Sequence, residues 1–385
     1  MGVARVLVIG GGIAGTATAL ALHKAGLDVE VHEAHPDSAE DLGAFLTLAS
    51  NGMRALAQLD ASAAVTALGF PLTSMRVLDG TGAELAKTPI GEAGDPLLQY
   101  RCLRRGDLNS GLQAEASRRG IAIRHGARLA SVVEDADGVT AHFADGSRAG
   151  GDLLIGADGL GSTVRNATAP AVQPLYAGQQ VFYGYTRTAP LPAGDACITM
   201  IRGTGAAFGF AVSPDGETYW FARVSGDPLP AERIARGTAA DWRELLVPLL
   251  RKDATPAADI VAATDQGVLV TNATEIPTGS PWRAGRTLLV GDAAHAASPA
   301  TGQGASMALE DAVVLAKCLR DAPDTDAALV RYEELRRPRV EHNITVSGNI
   351  SRGVPSPSPA TRAAPNRPGE DEIVRLLDWQ SDAWA

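Results

Sequence analysis

Three glycines, Gly10, Gly12 and Gly15, stand in G-x-G-x-x-G spacing directly after the apolar run Arg5 to Ile9. In that spacing the first glycine permits a tight turn and the second lets backbone approach a pyrophosphate. The third lets a helix pack closely on the strand, so that the N–H groups opening at Ile13 and Ala14 face the phosphates. Glu33 ends the next strand, where a carboxylate accepts hydrogen bonds from an adenosine ribose and repels a 2′-phosphate, which favours NAD or FAD over NADP at this site. Two more carboxylate-and-glycine turns follow. In "GGDLLIGADGLGSTVRNA" a strand ends at Asp158-Gly159 before a helix that opens near Ser162 and contains Arg165. Such a turn either offers a carboxylate and N–H groups to a phosphate or ribose, or is a capped turn and no more. In "LLVGDAAHAASPATGQGASMALEDA" the residues Asp292, Pro299, Gly302 and Gly304 separate a buried strand from an amphipathic helix. That helix carries Ala305, Ala308, Leu309, Ala312, Leu315, Ala316 and Leu319 on one stripe, the side expected to face the core.

The elements that would position these turns begin with strand Arg5 to Ile9, a helix from about Ile13 to Ala25, a stop at Gly26 and a second strand. The uncharged stretch Val6 to Leu22 is slightly short for a membrane span of ~20 residues and is broken by three glycines, so strand, turn and helix explain it better. After Ala34 the chain leaves a simple βαβ alternation. "DLGAFLTLASNGMRALAQLD" enters a helix, and "SMRVLDGTGAEL" reads as a hairpin turning at Asp79-Gly80 to Gly82.

With 385 residues, two lobes are expected. The net charge of −10, without a long basic run, argues against nucleic acid and anionic membranes. Cys102, Cys197 and Cys318 form no CxxC pair, which suggests neither a disulfide framework nor a zinc site and fits a cytoplasmic setting. The pair His32 and His35 is joined by no further Cys/His cluster, so no metal is expected. There is no G-x-S-x-G or H-E-x-x-H. Neither "GLGSTV" nor "GQGASM" completes a second dinucleotide fingerprint.

Taken in order, the G-x-G-x-x-G, "GADGLGSTVR" and "GDAAHAASPATGQG" segments resemble the class A flavin-dependent aromatic hydroxylases, the para-hydroxybenzoate hydroxylase-like family of FAD monooxygenases, over about residues 4 to 345. The resemblance implies FAD as cofactor, with NADPH or NADH visiting as transient reductant without a domain of its own. It implies that Asp292 bonds the ribityl chain, that the Pro299, Gly302, Gly304 loop passes close to the isoalloxazine ring, and that Arg105, in an R-x-x-L-x-x-x-L pattern with Leu108 and Leu112, contacts FAD. Two positions depart from the family pattern. Ala34 stands where many relatives carry arginine, and Ser306 where asparagine is common.

The fold class expected is α/β: a Rossmann-like FAD-binding domain with a mostly parallel sheet, interrupted by an antiparallel β-sheet substrate domain. The FAD-binding part takes 1–72, 100–172 and 268–350, the substrate sheet 73–99 and 173–267, and a Pro/Ser-rich linker with a C-terminal helix occupies 351–385. From Val172 to about Val224 short alternating runs suit that sheet. "DWRELLVPLLRKD" is read as helical up to a kink at Pro248. Tyr183, Tyr185 and Arg187 share one strand face, and Phe208, Phe210 and Val212 share another. Either face could line a flat, apolar substrate or pack on helices, and Tyr183, Tyr185 and Phe210 are the candidate substrate contacts. No catalytic side chain is singled out. The implied reaction is hydroxylation or epoxidation of an aromatic or polyene small molecule through a flavin C4a-hydroperoxide formed with O₂, in secondary metabolism such as antibiotic biosynthesis, by a monomer or homodimer. A reductase of isoprenoid double bonds and a non-catalytic flavin-binding redox protein are the alternatives.

Overall fold

The computed structural model describes residues 5–38, 43–92, 94–192, 194–354 and 370–384. Most of the expected Pro/Ser-rich linker, 355–369, lies outside these residues. A six-stranded sheet runs in the order Arg283–Ala284, Thr287–Leu289, Leu153–Gly156, Arg5–Ile9, Asp28–His32, Ala122–Arg124. Every neighbouring pair is parallel except the first. Helices and the three-stranded sheet Arg148–Gly151, Val139–Phe143, Leu129–Glu134 cover it, so its strands are apolar on both faces: Val6, Leu7, Val8, Leu153, Leu154 and Ile155 are fully buried. The helix Ile13–Lys24 follows the first strand immediately, as the glycine spacing requires.

A second sheet of seven strands runs in the order Leu269–Glu275, Leu175–Thr186, Thr218–Ser225, Ala207–Val212, Cys197–Arg202, Ser74–Asp79, Glu84–Pro89. It is antiparallel except where Cys197–Arg202 meets Ser74–Asp79, so the early hairpin extends its edge. One face packs Phe182, Phe208 and Trp220 against helices Ala239–Leu250 and Ala257–Ala262, with Trp242 at the centre. The first of these helices starts with a capping box between Thr238 and Asp241 and runs on through Pro248.

Two local expectations are corrected. The "GAFLTL" segment is not the start of a helix: Phe45–Leu48 is a strand paired antiparallel with Tyr100–Arg104, and the helix begins at Ser50. The helix Gly304–Asp321 is not buried along one stripe. Every residue from Ser306 to Cys318 is buried, because helices Ile13–Lys24, Ser50–Gln58, Thr325–Ser351 and Glu370–Leu377 all pack on it. The C-terminal helix is docked there by Lys317, whose Nζ donates to the Leu376 carbonyl and to Ser381 Oγ, both at 2.8 Å.

Enclosing that helix also encloses its charges, which must then find partners. Asp311, fully buried, accepts from Arg336 Nε at 2.8 Å, lies 2.5 Å from His295 Nε2 and accepts the Gly291 N–H at 3.1 Å. Glu310, also fully buried, accepts from Arg336 Nη1 at 2.6 Å, from Arg339 at 2.7 and 2.8 Å, and from Asn51 Nδ2 at 2.7 Å. Burial alone would raise the Asp311 carboxyl, but His295 and Arg336 outweigh it and hold it below the usual carboxylate range. Glu310 is lowered against its burial in the same way, by Arg336 and Arg339. His32, raised above as one of a histidine pair, is instead stacked on Phe143 at 4.5 Å, and burial lowers its pKa.

Carboxylates held below their unfolded pKa stabilise the fold above that value, and the stabilisation is lost as pH falls through the acid range. Unfolding free energy measured in urea should therefore drop steeply from pH 5 to pH 3. The same titration at pH 7 should show Arg336→Met less stable by about 3–5 kcal/mol, since it leaves two buried carboxylates short of a partner. A loss under about 1 kcal/mol would mean the network is solvated.

Candidate functional site

A cavity of about 600 Å³ lies between the two sheets. On one side it is walled by turns of the parallel sheet, and on the other by the face of the seven-stranded sheet that its helices do not cover. The walls are set from the backbone outward. Gly10 has φ +104°, and a Cβ there would stand 2.5 Å from the Ala157 carbonyl oxygen. A Cβ on Gly15 would sit 1.9 Å from the Gly10 carbonyl oxygen. Both glycines are thus required by packing between the first strand, its helix and the Leu153–Gly156 strand, and neither lines the cavity. Gly12 differs: a Cβ there meets nothing within 4 Å, and with Ile13 and Ala14 it faces the cavity. The helix that starts here has no side-chain cap and no acidic residue in its first turn, so its N-terminal N–H groups and positive dipole end face open space.

Glu33 stands outside the lining, half-buried behind the glycine turn. Its carboxylate accepts the Gly11 N–H and the His35 N–H, each at 2.6 Å, while Gln113 Nε2 donates to the Gly11 carbonyl at 2.6 Å. These bonds hold the loop's shape. Asp158 is not presented to the cavity either. Its carboxylate accepts the Thr163 N–H at 2.7 Å and the Val164 N–H at 3.1 Å and bonds the hydroxyl of Ser162, the N-cap of helix Thr163–Thr168, so it is engaged by the start of that helix. Its neighbours Ala157 and Gly159 reach the cavity instead. Arg165, buried in that helix, donates to the Ala293 carbonyl at 2.9 Å and to Leu160 O, which couples the second turn to the third.

The third turn delivers Asp292 to the cavity wall, and its carboxylate bonds no side chain among the described residues. Gly291 (φ +56°) precedes it, with Ala14 Cβ 2.7 Å from where a side chain would begin. Pro299, Gly302 and Gly304 also line the cavity. Their loop is anchored on helix Thr325–Ser351: Thr301 Oγ1 donates to Asn343 Oδ1 at 2.9 Å, the Thr301 N–H to Ser347 Oγ at 3.3 Å, and Ser347 bonds the Ser298 carbonyl. A Cβ on Gly304 would meet nothing within 4 Å, so the space there belongs to the cavity. Ser306 accepts the Ala49 N–H at 3.2 Å. Arg105, at the start of helix Arg105–Arg118, is the remaining expected residue on this side, with Leu108 and Leu112 buried beneath it.

On the sheet side only Tyr183 of the three aromatic candidates lines the cavity. Tyr185 lies under Arg104 at 4.0 Å and edge-on to Tyr219 at 5.0 Å, in a cluster beside the cavity. Phe210 is corrected to the opposite face: strand Ala207–Val212 turns it with Phe208 toward the helices. Burial pushes the Tyr183 phenol up to about 12, so it is a neutral donor near pH 7. The rest of the wall includes Phe45, Phe221, Met75, Met200, Val181, Ile198, Arg223 and the strand segment 269–271. Phe45 and Phe221 were not anticipated. Phe221 sits directly opposite Tyr183 across the strand pair, so alternation from Tyr183 through the register would have found it.

A family model described as FAD binding domain matches residues 3–347. The chain is 34% identical over 351 residues to the FAD-dependent urate hydroxylase of Klebsiella pneumoniae, covering 87% of this chain and 86% of that protein. It is 31% identical over 357 residues to the aurachin C monooxygenase/isomerase of Stigmatella aurantiaca, covering 90% and 88%. The crystal structure of Klebsiella pneumoniae HpxO complexed with FAD and uric acid superposes with a TM-score of 0.81 at 30% identity, covering 91% of this chain and 89% of that one.

Two glycines three residues apart should behave differently. Gly15→Ala should cost the protein about 1–3 kcal/mol in thermal or urea unfolding, because backbone must shift to admit the methyl group. Gly12→Ala should leave the stability of flavin-free protein within about 0.5 kcal/mol of wild type and bind FAD at least ~10-fold more weakly in a fluorescence titration, the penalty of a methyl group that displaces a phosphate contact.

Proposed function

This chain belongs to the FAD-dependent aromatic hydroxylase and monooxygenase family, and on that premise we propose that it is an NAD(P)H-consuming monooxygenase that inserts one oxygen atom of O₂ into a flat, largely apolar aromatic or polyunsaturated small molecule of secondary metabolism. The observation that carries the reading is the cavity: one wall is glycine turns, an uncapped helix start and an unengaged aspartate, and the other is aromatic and thioether side chains. FAD, when bound, supplies the two-electron and oxygen-activating chemistry that no side chain of this protein provides.

The donors fit such a group. The Gly12 to Ala14 backbone and the helix N-terminus take the pyrophosphate. Glu33 retains free lone pairs for an adenosine ribose beside its two backbone bonds. Asp292 takes hydroxyls of the ribityl chain, and Arg105 flanks the same wall. The Pro299 to Gly304 segment, with no side chain larger than threonine or glutamine, gives a ring system close access to backbone. Phe45, Tyr183, Phe221 and Met200 hold the substrate flat and keep water from the reacting atoms. The described residues contain one parallel sheet of this type, which supports a reductant that binds transiently at the same lobe. Similarity to an aurachin C monooxygenase/isomerase supports a place in secondary metabolism.

Purified protein should be yellow, and its true substrate should accelerate NAD(P)H oxidation with one atom from ¹⁸O₂ appearing in the product by mass spectrometry. Substrate-dependent oxidation of NAD(P)H that continues without O₂ would replace hydroxylation by double-bond reduction. Asp292→Ala should reduce FAD affinity by at least ~10-fold, the loss of a charge-assisted hydrogen bond, with the apoprotein still folded.

A further inference from the structure

The chain has five methionines, of which Met1 lies outside the described residues. Met75 and Met200 line the cavity, whereas Met53 and Met307 do not. Met53 is fully enclosed in helix Ser50–Gln58, and buried Met307 accepts through Sδ from Arg336 Nη2 at 3.7 Å. Met75 and Met200 are only half-buried. They lie on the paired strands Ser74–Asp79 and Cys197–Arg202, Met75 opposite Ile198 and Met200 opposite Val77, which puts both on one face. There they pack among Phe45, Tyr183 and Phe221. Gly209 is the register partner of both Met200 and Phe221. A Cβ on it would stand 3.0 Å from Met200 Sδ and 2.4 Å from two Phe221 ring carbons, so thioether and ring close over the glycine. No described residue donates to either cavity sulfur, in contrast to the sulfur of Met307.

A thioether sulfur with unengaged lone pairs is readily oxidised by a peroxide, and none of the three buried cysteines lines the cavity to compete with it. Reduced flavin that meets O₂ with no substrate in place passes two electrons and two protons to the oxygen, which leaves as hydrogen peroxide. We propose that Met75 and Met200 are modification sites: hydrogen peroxide released in the cavity converts them to methionine sulfoxide, and the modified wall holds a flat apolar guest less well. One peroxide oxygen bonds Sδ as the O–O bond breaks. The sulfur gives up two electrons, and the other oxygen leaves as water with both protons. Sulfoxide replaces a flexible apolar surface by a polar one. Against Phe45, Tyr183 and Phe221 its S–O dipole is either hydrated or unpaired, and each alternative weakens apolar binding. Weaker binding leaves the reduced cofactor without substrate more often, so the damage accelerates itself and bound substrate suppresses it. This rests on the cavity being the oxygen-activating site of the flavoenzyme described above.

The test uses FAD-loaded protein without substrate, with catalase present to remove peroxide that escapes. The flavin is reduced by NAD(P)H in one arm and by light with EDTA in the other, then exposed to air over repeated cycles. Peptide mass spectrometry should show sulfoxide at Met75 and Met200 accumulating at least ~10-fold faster than at Met53 and Met307, and not in cycles kept anaerobic. Equal oxidation of all four, or none at the cavity pair, overturns the assignment. So does oxidation that is far greater without catalase than with it, since the peroxide would then act from solution. Calorimetry with naphthalene-2-ol, quinoline and indole follows the wall. The cycles should weaken the tightest of these by at least ~5-fold in wild type and by less than ~2-fold in Met75→Leu/Met200→Leu, each protein compared with its own starting affinity. Equal weakening in both proteins, or a wild type that binds none of the three at the outset, overturns the role given to the wall. Light-driven reduction makes peroxide at the flavin whatever the natural reductant or product, so failure of the ¹⁸O₂ experiment and failure of this one are separate results.

Discussion

The Asp311 carboxylate is the point on which the flavin-facing wall depends. One of its oxygens holds the Gly291 N–H and the His295 ring, and the other holds Arg336 from the long helix. The turn that exposes Asp292 is therefore fixed from behind by a charge with no access to water. A neutral core would pack as stably. What the ion network adds is direction: hydrogen bonds with defined angles tie the turn, helix Gly304–Asp321 and helix Thr325–Ser351 into one arrangement, whereas apolar contacts tolerate small slides. Glu310 extends the same grip to Asn51, and so to the helix that follows the strand carrying Phe45. Both walls of the cavity are thereby referred to one buried cluster.

Small residues serve two separate purposes around this cluster. Gly10, Gly15 and Gly291 are small because backbone or a neighbouring methyl group already occupies the space a side chain would need. Gly12 and Gly304 are small although nothing in the protein crowds them. The first kind brings elements together, and the second leaves room for a guest. Both look the same in a sequence motif, and only the packing separates them.

That difference explains how much could be read from the chain. The strand, glycine turn and helix at Arg5 to Lys24 were legible because three glycines at set spacing between an apolar run and a helix admit few other structures. Asp292 and the Pro299 to Gly304 loop were legible from the family resemblance, and the structure brings all of them to one cavity. Asp158 carries the same local signal as Asp292, a carboxylate at a strand end, but its oxygens turn inward to helix N–H groups. Nothing local distinguishes the two. Alternation put Tyr183 and Tyr185 on one face and Phe208 and Phe210 on another, yet which face met helices depended on Trp242, remote in sequence, and Phe210, a candidate substrate contact, packs toward the helices. Arg223 drew no notice because a lone arginine in a strand ordinarily points to solvent.

The cavity is bounded at one end of the chain by Gly12 and at the other by Ala308. Central strand Arg5–Ile9 has Leu153–Gly156 as a neighbour, which in turn needs Thr287–Leu289, so adjacent strands are separated by well over a hundred residues of chain. During synthesis on a ribosome, the early glycine turn meets its facing wall only after the segment from Asp292 to Ala308 has been made. Until then the cavity has no complete wall, so a closed flavin site requires long-range strand pairing first and is not a local nucleus around which the rest assembles.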